Sequence, residues 1–183
     1  KNSKTYFNEG LTWSALSNDF SIRWFPQGAI CADKGQGLFA DEHTLFYSCG
    51  LLNSCVSRLF LRFVSPTLDF NCGYVRKIPY GKKPEQEEKA TEIVRDSIQC
   101  SRLDWDSYET SWDFKRNPLA ISSIPAVFGA EYCGKYVTRL EDCYYAWKNE
   151  CKERFENLQI NEEELNRIFI DIYGLQDELT PDV

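Results

Sequence analysis

The fold class of this 183-residue chain is decided by the stretch LTWSALSNDFSIRWF, residues 11–25. Its two halves, 11–16 and 20–25, contain β-branched and aromatic residues, and a Ser-Asn-Asp cluster separates them. A second turn, Pro-Gln-Gly at 26–28, precedes a short run at 29–32, and the polar stretch 33–37 with two glycines is typical of a loop. We therefore expect a small antiparallel meander with a polar tip.

The apolar pattern changes period after the meander. Between His43 and Val64 the apolar residues recur at three-and-four spacing, which is typical of a helix with one buried face. Residues 67–75 alternate as a strand does, so the pattern predicts strand, helix and strand on one small sheet. A second helix is predicted over 84–100, with proline at its start and acidic residues in its first turn.

The remainder of the chain is predicted to be helical. Residues 101–125 contain several aromatics without a sustained period, and we interpret them as an ordered connector whose aromatic rings pack on neighbouring surface. Over 126–158 a coiled-coil type of seam predicts a long helix, and a capping box at 161–164 predicts a second helix that ends at Gly174 and completes a hairpin. The seam residues are Val137, Leu140, Tyr144, Trp147, Cys151 and Leu158.

The predicted fold class is therefore α+β, with a small, mainly antiparallel sheet and a packed helix followed by a helical C-terminal part. Three regions are expected: 1–83 with the sheet, 84–125 with the helix and connector, and 126–183 with the helical hairpin.

Composition excludes several classes of protein. The chain is 43% hydrophobic, which argues against disorder, and no run approaches the roughly 18 apolar residues of a membrane helix. We therefore expect no membrane contact. None of the eight cysteines forms a Cys-x-x-Cys pair, and His43 is the single histidine, so we expect reduced thiols and no metal site.

Charge is distributed unevenly along the chain. The net charge is −7, but residues 1–83 contain ten Lys and Arg against six Asp and Glu, whereas 84–183 contain eleven against twenty-two. Only the first region carries an excess of positive charge, and therefore only that region suits an anionic partner such as nucleic acid.

The sequence contains no complete active site. His43 would have to serve every histidine-dependent mechanism, and an independent hydrolase built on it is a minor alternative. The Gly-x-Gly at 35–37 lacks the further glycine and the lysine of nucleotide-binding loops. Asn-Pro-Leu-Ala at 117–120 lacks the second proline and the aromatic residue of an amino-methyltransferase turn. We expect this chain itself not to be catalytic.

Several short motifs follow one another in a characteristic order: GLTWS at 10–14, FSIRW at 20–24, LLNS at 51–54, PTLDFNCG at 66–73, WDSYETSWDF at 105–114 and the stretch 165–175. Their order resembles the target-recognition and following helical region of large adenine-specific DNA methyltransferases. These are the type IIG restriction–modification family and the PglX-type enzymes of bacteriophage exclusion (BREX) systems. Two departures from the family pattern are Asp69, where asparagine is usual, and Asn-Cys at 71–72, where Gln-Val is usual.

The resemblance implies a function. The parent protein would transfer a methyl group from S-adenosylmethionine to N6 of adenine, with its catalytic loop and cofactor pocket N-terminal to this chain, so no cofactor is expected here. This chain would choose the DNA site in the bacterial cytoplasm. Its expected partners are double-stranded DNA, the catalytic domain of the same polypeptide and other defence-system subunits. The alternative is a helical protein–protein interaction scaffold without DNA contact.

Candidate DNA-contacting residues follow from polarity and position on loops and strand ends, because such side chains reach phosphates and base edges. The acidic helical region is expected to pack against protein. The candidates are Thr12, Ser14, Arg23, Lys34, Gln36, Arg76, Lys77, Lys82 and Lys83.

Overall fold

The structure is a computed structural model that describes residues 3–122 and 139–183. It confirms the α+β class. The chain divides into two compact units, the first formed by 1–96 with 161–183 and the second by 97–160. The predicted three-region division stays a prediction. The strands are β1 (Gly10–Ser14), β2 (Arg23–Phe25) and β3 (Gly35–Leu38), and the helices are α1 (Glu42–Asn53), α2 (Cys55–Val64), α3 (Cys72–Val75), α4 (Pro84–Trp105), α5 (Pro118–Ser122) and α6 (Leu140–Tyr173).

The three strands form an antiparallel sheet in the order β2-β1-β3. Leu11 and Trp13 are buried, whereas Thr12 is half-buried and Ser14 is exposed, so β1 turns one face to the core and the other outward. The expectation of a loop over 33–37 was wrong for 35–37, because Gly35–Leu38 pairs residue by residue with β1. Glycines that suggest a turn are equally compatible with an edge strand.

The strand expected over 67–75 is also absent from the described residues. The segment makes an isolated bridge between Leu16 and Asp69 and then enters α3. The Asn71 side chain accepts a hydrogen bond from the Gly73 N–H at 2.9 Å, which caps the helix. The capping asparagine therefore outweighs the apolar alternation.

One helix was expected between His43 and Val64, but the chain forms two. Ser54 has extended backbone angles (φ −68°, ψ 158°) and ends α1, and its side chain accepts from the Ser57 N–H to cap α2. Asn53, just before this break, donates to the Ile22 carbonyl and accepts from the Ile22 N–H, each at 3.0 Å. The motif LLNS at 51–54 therefore supplies two buried leucines, an asparagine that bonds to the residue before β2, and a serine that caps α2.

The core of the first unit gathers around Tyr47 and Phe169, which are fully buried with ring centroids 5.5 Å apart. Gly50 on α1 permits close helix packing, since a Cβ there would lie 2.7 Å from Val94 Cγ2 and 3.4 Å from the Phe169 ring. Asn166 on α6 accepts from the Cys55 N–H at 2.9 Å and donates to the Pro181 carbonyl at 3.0 Å. This amide ties the C-terminal residues to the core.

The helical hairpin expected around 158–161 was wrong, because α6 continues through these residues to Tyr173. Arg167 pairs with Glu163 and Glu164 at 3.4 and 3.1 Å, so the acidic cluster that resembled a cap serves as one side of helical ion pairs. The helix ends at Gly174, whose φ of +66° suits glycine, as expected. Residues 126–138 of the predicted long helix and 123–125 of the predicted connector lie outside the described residues.

Within the second unit, the Arg154 guanidinium lies over the Trp147 ring at 4.6 Å. The prediction that the aromatic rings of the connector pack on neighbouring surface was wrong for three of them. Trp105, Tyr108 and Trp112 are exposed, and Trp112 completely so. Ser111 instead fixes the connector by donating to the Asp106 carboxylate at 2.7 Å.

No helix in 3–122 or 139–183 is both long and apolar enough to cross a membrane.

Candidate nucleic-acid interface

The outer face of the sheet collects three of the candidate residues. Thr12 lies opposite Arg23 on β2 and Gly37 on β3, and Ser14 lies opposite Gly35. Directly paired residues of antiparallel strands project to the same face, so Thr12, Ser14 and Arg23 share it. Arg23 is exposed, whereas the Phe39 ring and the Cys31 thiol lie over Gly37 on this face, where a Cβ would come within 2.7 and 2.9 Å of them.

The two hydroxyls on this face are already donors. Thr12 Oγ1 donates to the Gln36 carbonyl at 2.8 Å, and Ser14 Oγ donates to the Leu16 carbonyl at 2.8 Å. Each hydroxyl oxygen keeps acceptor capacity, so both suit donors such as the exocyclic amines of adenine and cytosine in the major groove.

Lys34 and Gln36 have different roles although they are neighbours. Lys34 is exposed, and its Nζ lies 4.0 Å from the equally exposed Asp33 carboxylate, a contact that solvent screens. Gln36 pairs with Trp13 and so lies on the inner face. Its Oε1 accepts from the Cys72 N–H at 3.3 Å and from the Cys72 thiol, which links β3 to α3.

Arg76 and Lys77 follow α3 and are exposed. The Arg76 N–H donates to the Cys72 carbonyl at 3.0 Å, and Lys77 Nζ lies 5.4 Å from the Tyr74 ring centroid. Since Cys72 also contacts Gln36, these cations lie at the α3 side of β3.

Lys82 and Lys83 are committed to partners inside the first unit. Lys82 pairs with Glu87, which raises the pKa of the lysine, and its Nζ lies 5.2 Å from the Tyr47 ring centroid. Lys83 contacts the Asp171 carboxylate at 2.6 Å. A phosphate would have to displace these carboxylates, so the two lysines are weaker candidates than Arg23 or Lys34.

Tyr47 and Tyr173 hold the segment that carries these lysines. Tyr47 Oη donates to the Gly81 carbonyl at 2.7 Å, and Tyr173 Oη accepts from the Gly81 N–H at 2.7 Å and donates to the Pro79 carbonyl. Burial raises the pKa of both phenols, so they remain protonated donors. Nothing in the apolar periodicity pointed to this clamp.

A cavity of about 700 Å³ lies beside β3. Its lining includes both glycines of the strand, apolar residues of α1 and α3, and Arg76, the single charged lining residue in the described part of the chain. The apolar pattern of the sequence does not reveal this cavity, because the Gly-x-Gly that forms part of it is also typical of a loop.

His43 and the cysteines do not form a catalytic arrangement in the described ranges. The two ring nitrogens of His43 face carboxylates, Nδ1 at 3.6 Å from Glu87 and Nε2 at 3.9 Å from Glu88, rather than a nucleophile. All seven described cysteines are free, and burial raises the pKa of Cys49 to about 12, which makes it a poor nucleophile. No group of three or more potential metal ligands occurs in 3–122 and 139–183. Cys133 lies outside these ranges.

The chain is similar over nearly its whole length to part of two large proteins. It is 42% identical over 183 residues, 99% of its own length, to the "Adenine-specific methyltransferase PglX" of Lacticaseibacillus casei (strain Zhang). It is 30% identical over 185 residues, 98% of its own length, to the "Adenine-specific methyltransferase BrxX" of Escherichia coli O9:H4 (strain HS). The chain spans only 14% of the length of each. No protein-family model matches it.

Proposed function

We propose that this chain, whose homologues are adenine-specific methyltransferases, is the DNA sequence recognition region of a site-specific adenine-N6 DNA methyltransferase. The observation that carries the proposal is the outer face of the sheet, where Arg23 stands directly opposite Thr12. A hydroxyl acceptor and a phosphate-binding cation thereby share one face of the sheet, and a second exposed cation, Lys34, immediately precedes β3.

The chain's own residues would divide the work of recognition. Arg23 and Lys34 would contact phosphates and position the duplex, while Thr12 and Ser14 would accept hydrogen bonds from base edges in the major groove. The chosen adenine would leave the stack to enter the catalytic domain of the same polypeptide, since a base inside a duplex is out of reach. This would take place in the bacterial cytoplasm, alongside other defence-system subunits.

The cofactor is assigned to the longer protein rather than to this chain. S-adenosylmethionine would supply the methyl group, but it carries a positive sulfonium and a ribose whose hydroxyls suit a carboxylate. The cavity beside β3 has Arg76 as its one charged lining residue in the described part of the chain, so it does not fit this cofactor.

The salt dependence of DNA binding tests the proposal. Fluorescence anisotropy with an adenine-containing duplex should give an affinity that falls by about 0.9 log unit per log unit of salt for each phosphate contact. Arg23→Gln and Lys34→Gln should each weaken binding and reduce this slope by about 1. Lys148→Gln, which removes an exposed cation from α6, is the matched control and should change neither quantity. A flat slope for the unmodified chain, or an equal loss in the control, would contradict DNA recognition by this face.

A protein-interaction scaffold is the second candidate function. Leu140 and Tyr144 of the predicted seam are exposed one turn apart on α6, and an apolar pair of this kind suits a protein contact. The scaffold predicts self-association that Leu140→Ser weakens, measured by light scattering across a range of concentrations. A monomer throughout that range, with DNA binding intact, favours the first function.

A further inference from the structure

We propose that the open edge of β3 binds an extended peptide that carries apolar side chains and one carboxylate, and that the peptide adds a fourth strand to the sheet. This inference goes beyond DNA recognition and does not depend on it, because it concerns the edge of the sheet and the cavity beside it rather than the outer face.

The backbone groups of β3 point alternately toward β1 and away from it. The Ala15 N–H donates to the Lys34 carbonyl at 2.9 Å, so these two residues form a hydrogen-bonded pair that continues the β1–β3 register. Such pairs alternate along an antiparallel ladder, so Gln36 also bonds toward β1. Gly35 and Gly37 therefore direct their N–H and C=O groups away from β1, toward the open edge.

This edge has no strand partner in the described part of the chain. β3 is the last strand in the order β2-β1-β3. No hydrogen bond from outside the sheet reaches the backbone of Gly35 or Gly37 in 3–122 and 139–183. Natural edge strands are usually blocked by charged side chains, proline or bulges, but the sequence of β3 is Gly-Gln-Gly-Leu. The Phe39 ring and the Cys31 thiol already fill the space over Gly37, at 2.7 and 2.9 Å from an ideal Cβ position, so a partner strand would approach along the backbone edge rather than over the strand.

The cavity of about 700 Å³ contacts all four residues of β3, which extend for about 13 Å, enough to pair with a strand of similar length. Its other walls provide apolar surface for alternate side chains of that strand, as in other cases where a peptide extends a sheet. The apolar walls are Phe39, Leu51, Leu52, Val75 and Ile78.

The charge of the cavity lining favours a peptide over nucleic acid. Protein–DNA interfaces are strongly positive, whereas this lining contains Arg76 as its one charged residue in the described ranges. No acidic side chain in those ranges pairs with Arg76, which is exposed. A guanidinium at the rim of an apolar cleft suits a single carboxylate, which it can bind through two parallel hydrogen bonds.

Nuclear magnetic resonance of the 15N-labelled 183-residue chain tests this proposal. The probes are capped hexapeptides that alternate valine and threonine and carry one glutamate, placed at each position in turn. We expect at least one probe to shift the amide resonances of Gly35 and Gly37 in a saturable way. Arg76→Gln should weaken that binding by about 10-fold, a loss typical of a charged hydrogen bond. Arg62→Gln removes an exposed cation from α2 and should leave it unchanged.

Backbone pairing is separated from side-chain contact by methylating alternate peptide nitrogens of the best probe, in both registers. One register should lose binding, because its amide hydrogens donate to the strand edge. Equal binding of all methylated probes, or no saturable shift with any probe, overturns the proposal. A duplex oligonucleotide that competes with the best probe, and whose binding Arg76→Gln lowers but Arg23→Gln and Lys34→Gln do not, would also overturn it, by assigning the cleft to nucleic acid. The variants Arg23→Gln and Lys34→Gln leave the cavity lining intact, so a failure of DNA recognition is distinguishable from a failure here.

Discussion

At the scale of single residues, the side-chain amide of Asn53 pairs with the backbone of Ile22 as the backbone of a neighbouring strand would. It donates to the Ile22 carbonyl and accepts from the Ile22 N–H, both at 3.0 Å, just before Arg23 begins β2. Its amide also donates to the Cys49 carbonyl at 3.0 Å. One side chain therefore satisfies both backbone groups of Ile22 and aligns the strand that presents Arg23.

Replacing this amide should destabilise the chain measurably. Asn53→Ala leaves the Ile22 backbone groups without their partner, and we expect the free energy of unfolding to fall by about 2 kcal/mol. Urea unfolding followed by circular dichroism measures the change. Asn157→Ala on the exposed surface of α6 is the control, expected to stay within about 0.5 kcal/mol of the parent. Equal stabilities of the two variants would contradict the role given to Asn53.

A second residue-scale prediction concerns pH. Lys83 and Gln86 donate to the Asp171 carboxylate at 2.6 and 2.9 Å, which holds the pKa of Asp171 below its ordinary value. Folding thus favours the charged carboxylate, so this stabilisation is present above the unfolded pKa of about 3.9 and is lost as pH falls through the lower folded pKa. The stability difference between the parent chain and Asp171→Asn should therefore shrink from about pH 5 to below pH 3.

Urea midpoints of both chains across this range check the expectation. The control is Asn157→Ala on the exposed surface of α6, a change that removes no titratable group, so its stability difference from the parent should not change with pH. If the difference in stability between the parent chain and Asp171→Asn is constant from pH 7 to pH 2.5, the predicted pH dependence is wrong.

At the scale of secondary-structure elements, the contact among α1, α4 and α6 in the first unit depends on Gly50. Gly50→Ala should gain helix propensity of about 1 kcal/mol but place a methyl group 2.7 Å from Val94 Cγ2, and valine is too stiff to rotate away. We expect a net loss of about 2 kcal/mol from overpacking.

The double variant Gly50→Ala with Val94→Ala should cost less than the sum of the single variants, because the second change removes the clashing methyl. Urea unfolding of the three variants measures this coupling. A single Gly50→Ala variant more stable than the parent would show that the helices can separate without cost.

Some of the secondary-structure elements could be predicted from the sequence and others could not. The three-and-four apolar spacing correctly predicted helix over 43–64 and 84–100, although only α2 and α4 are buried on one face, because residues 45–52 of α1 are all buried. The break at Ser54 and the helix at α3 escaped prediction, since each depends on one capping side chain. β3 escaped because its strand character comes from pairing with β1 rather than from its own residues.

The candidate site was predictable to a similar extent. Exposed cations such as Arg23 and Lys34 follow from charge and position, and the structure leaves them exposed. Gln36, Lys82 and Lys83 have the same polarity but contact Cys72, Glu87 and Asp171, respectively. These partners are 36, 5 and 88 residues away, so only the three-dimensional packing shows which of the candidates are already engaged.

At the scale of the whole molecule, the excess of positive charge in 1–83 and of negative charge in 84–183 predicts that specificity lies in the first region. On the proposed function, exchanging 1–83 into the corresponding segment of the Lacticaseibacillus casei relative should change which DNA motif that methyltransferase modifies. Exchanging 84–183 should leave the motif unchanged, and an active chimaera of this kind is the matched control. Sequencing that detects methylated adenines reads both outcomes. Specificity that travels with 84–183 would refute our assignment.

The amide of Asn166 has a practical consequence for anyone who trims this chain. It connects the start of α2 to the Pro181 carbonyl, so a version cut soon after Gly174 would strand a buried polar group next to the core. Residues 175–183 form no regular element beyond a turn, yet they therefore contribute to the stability of the first unit.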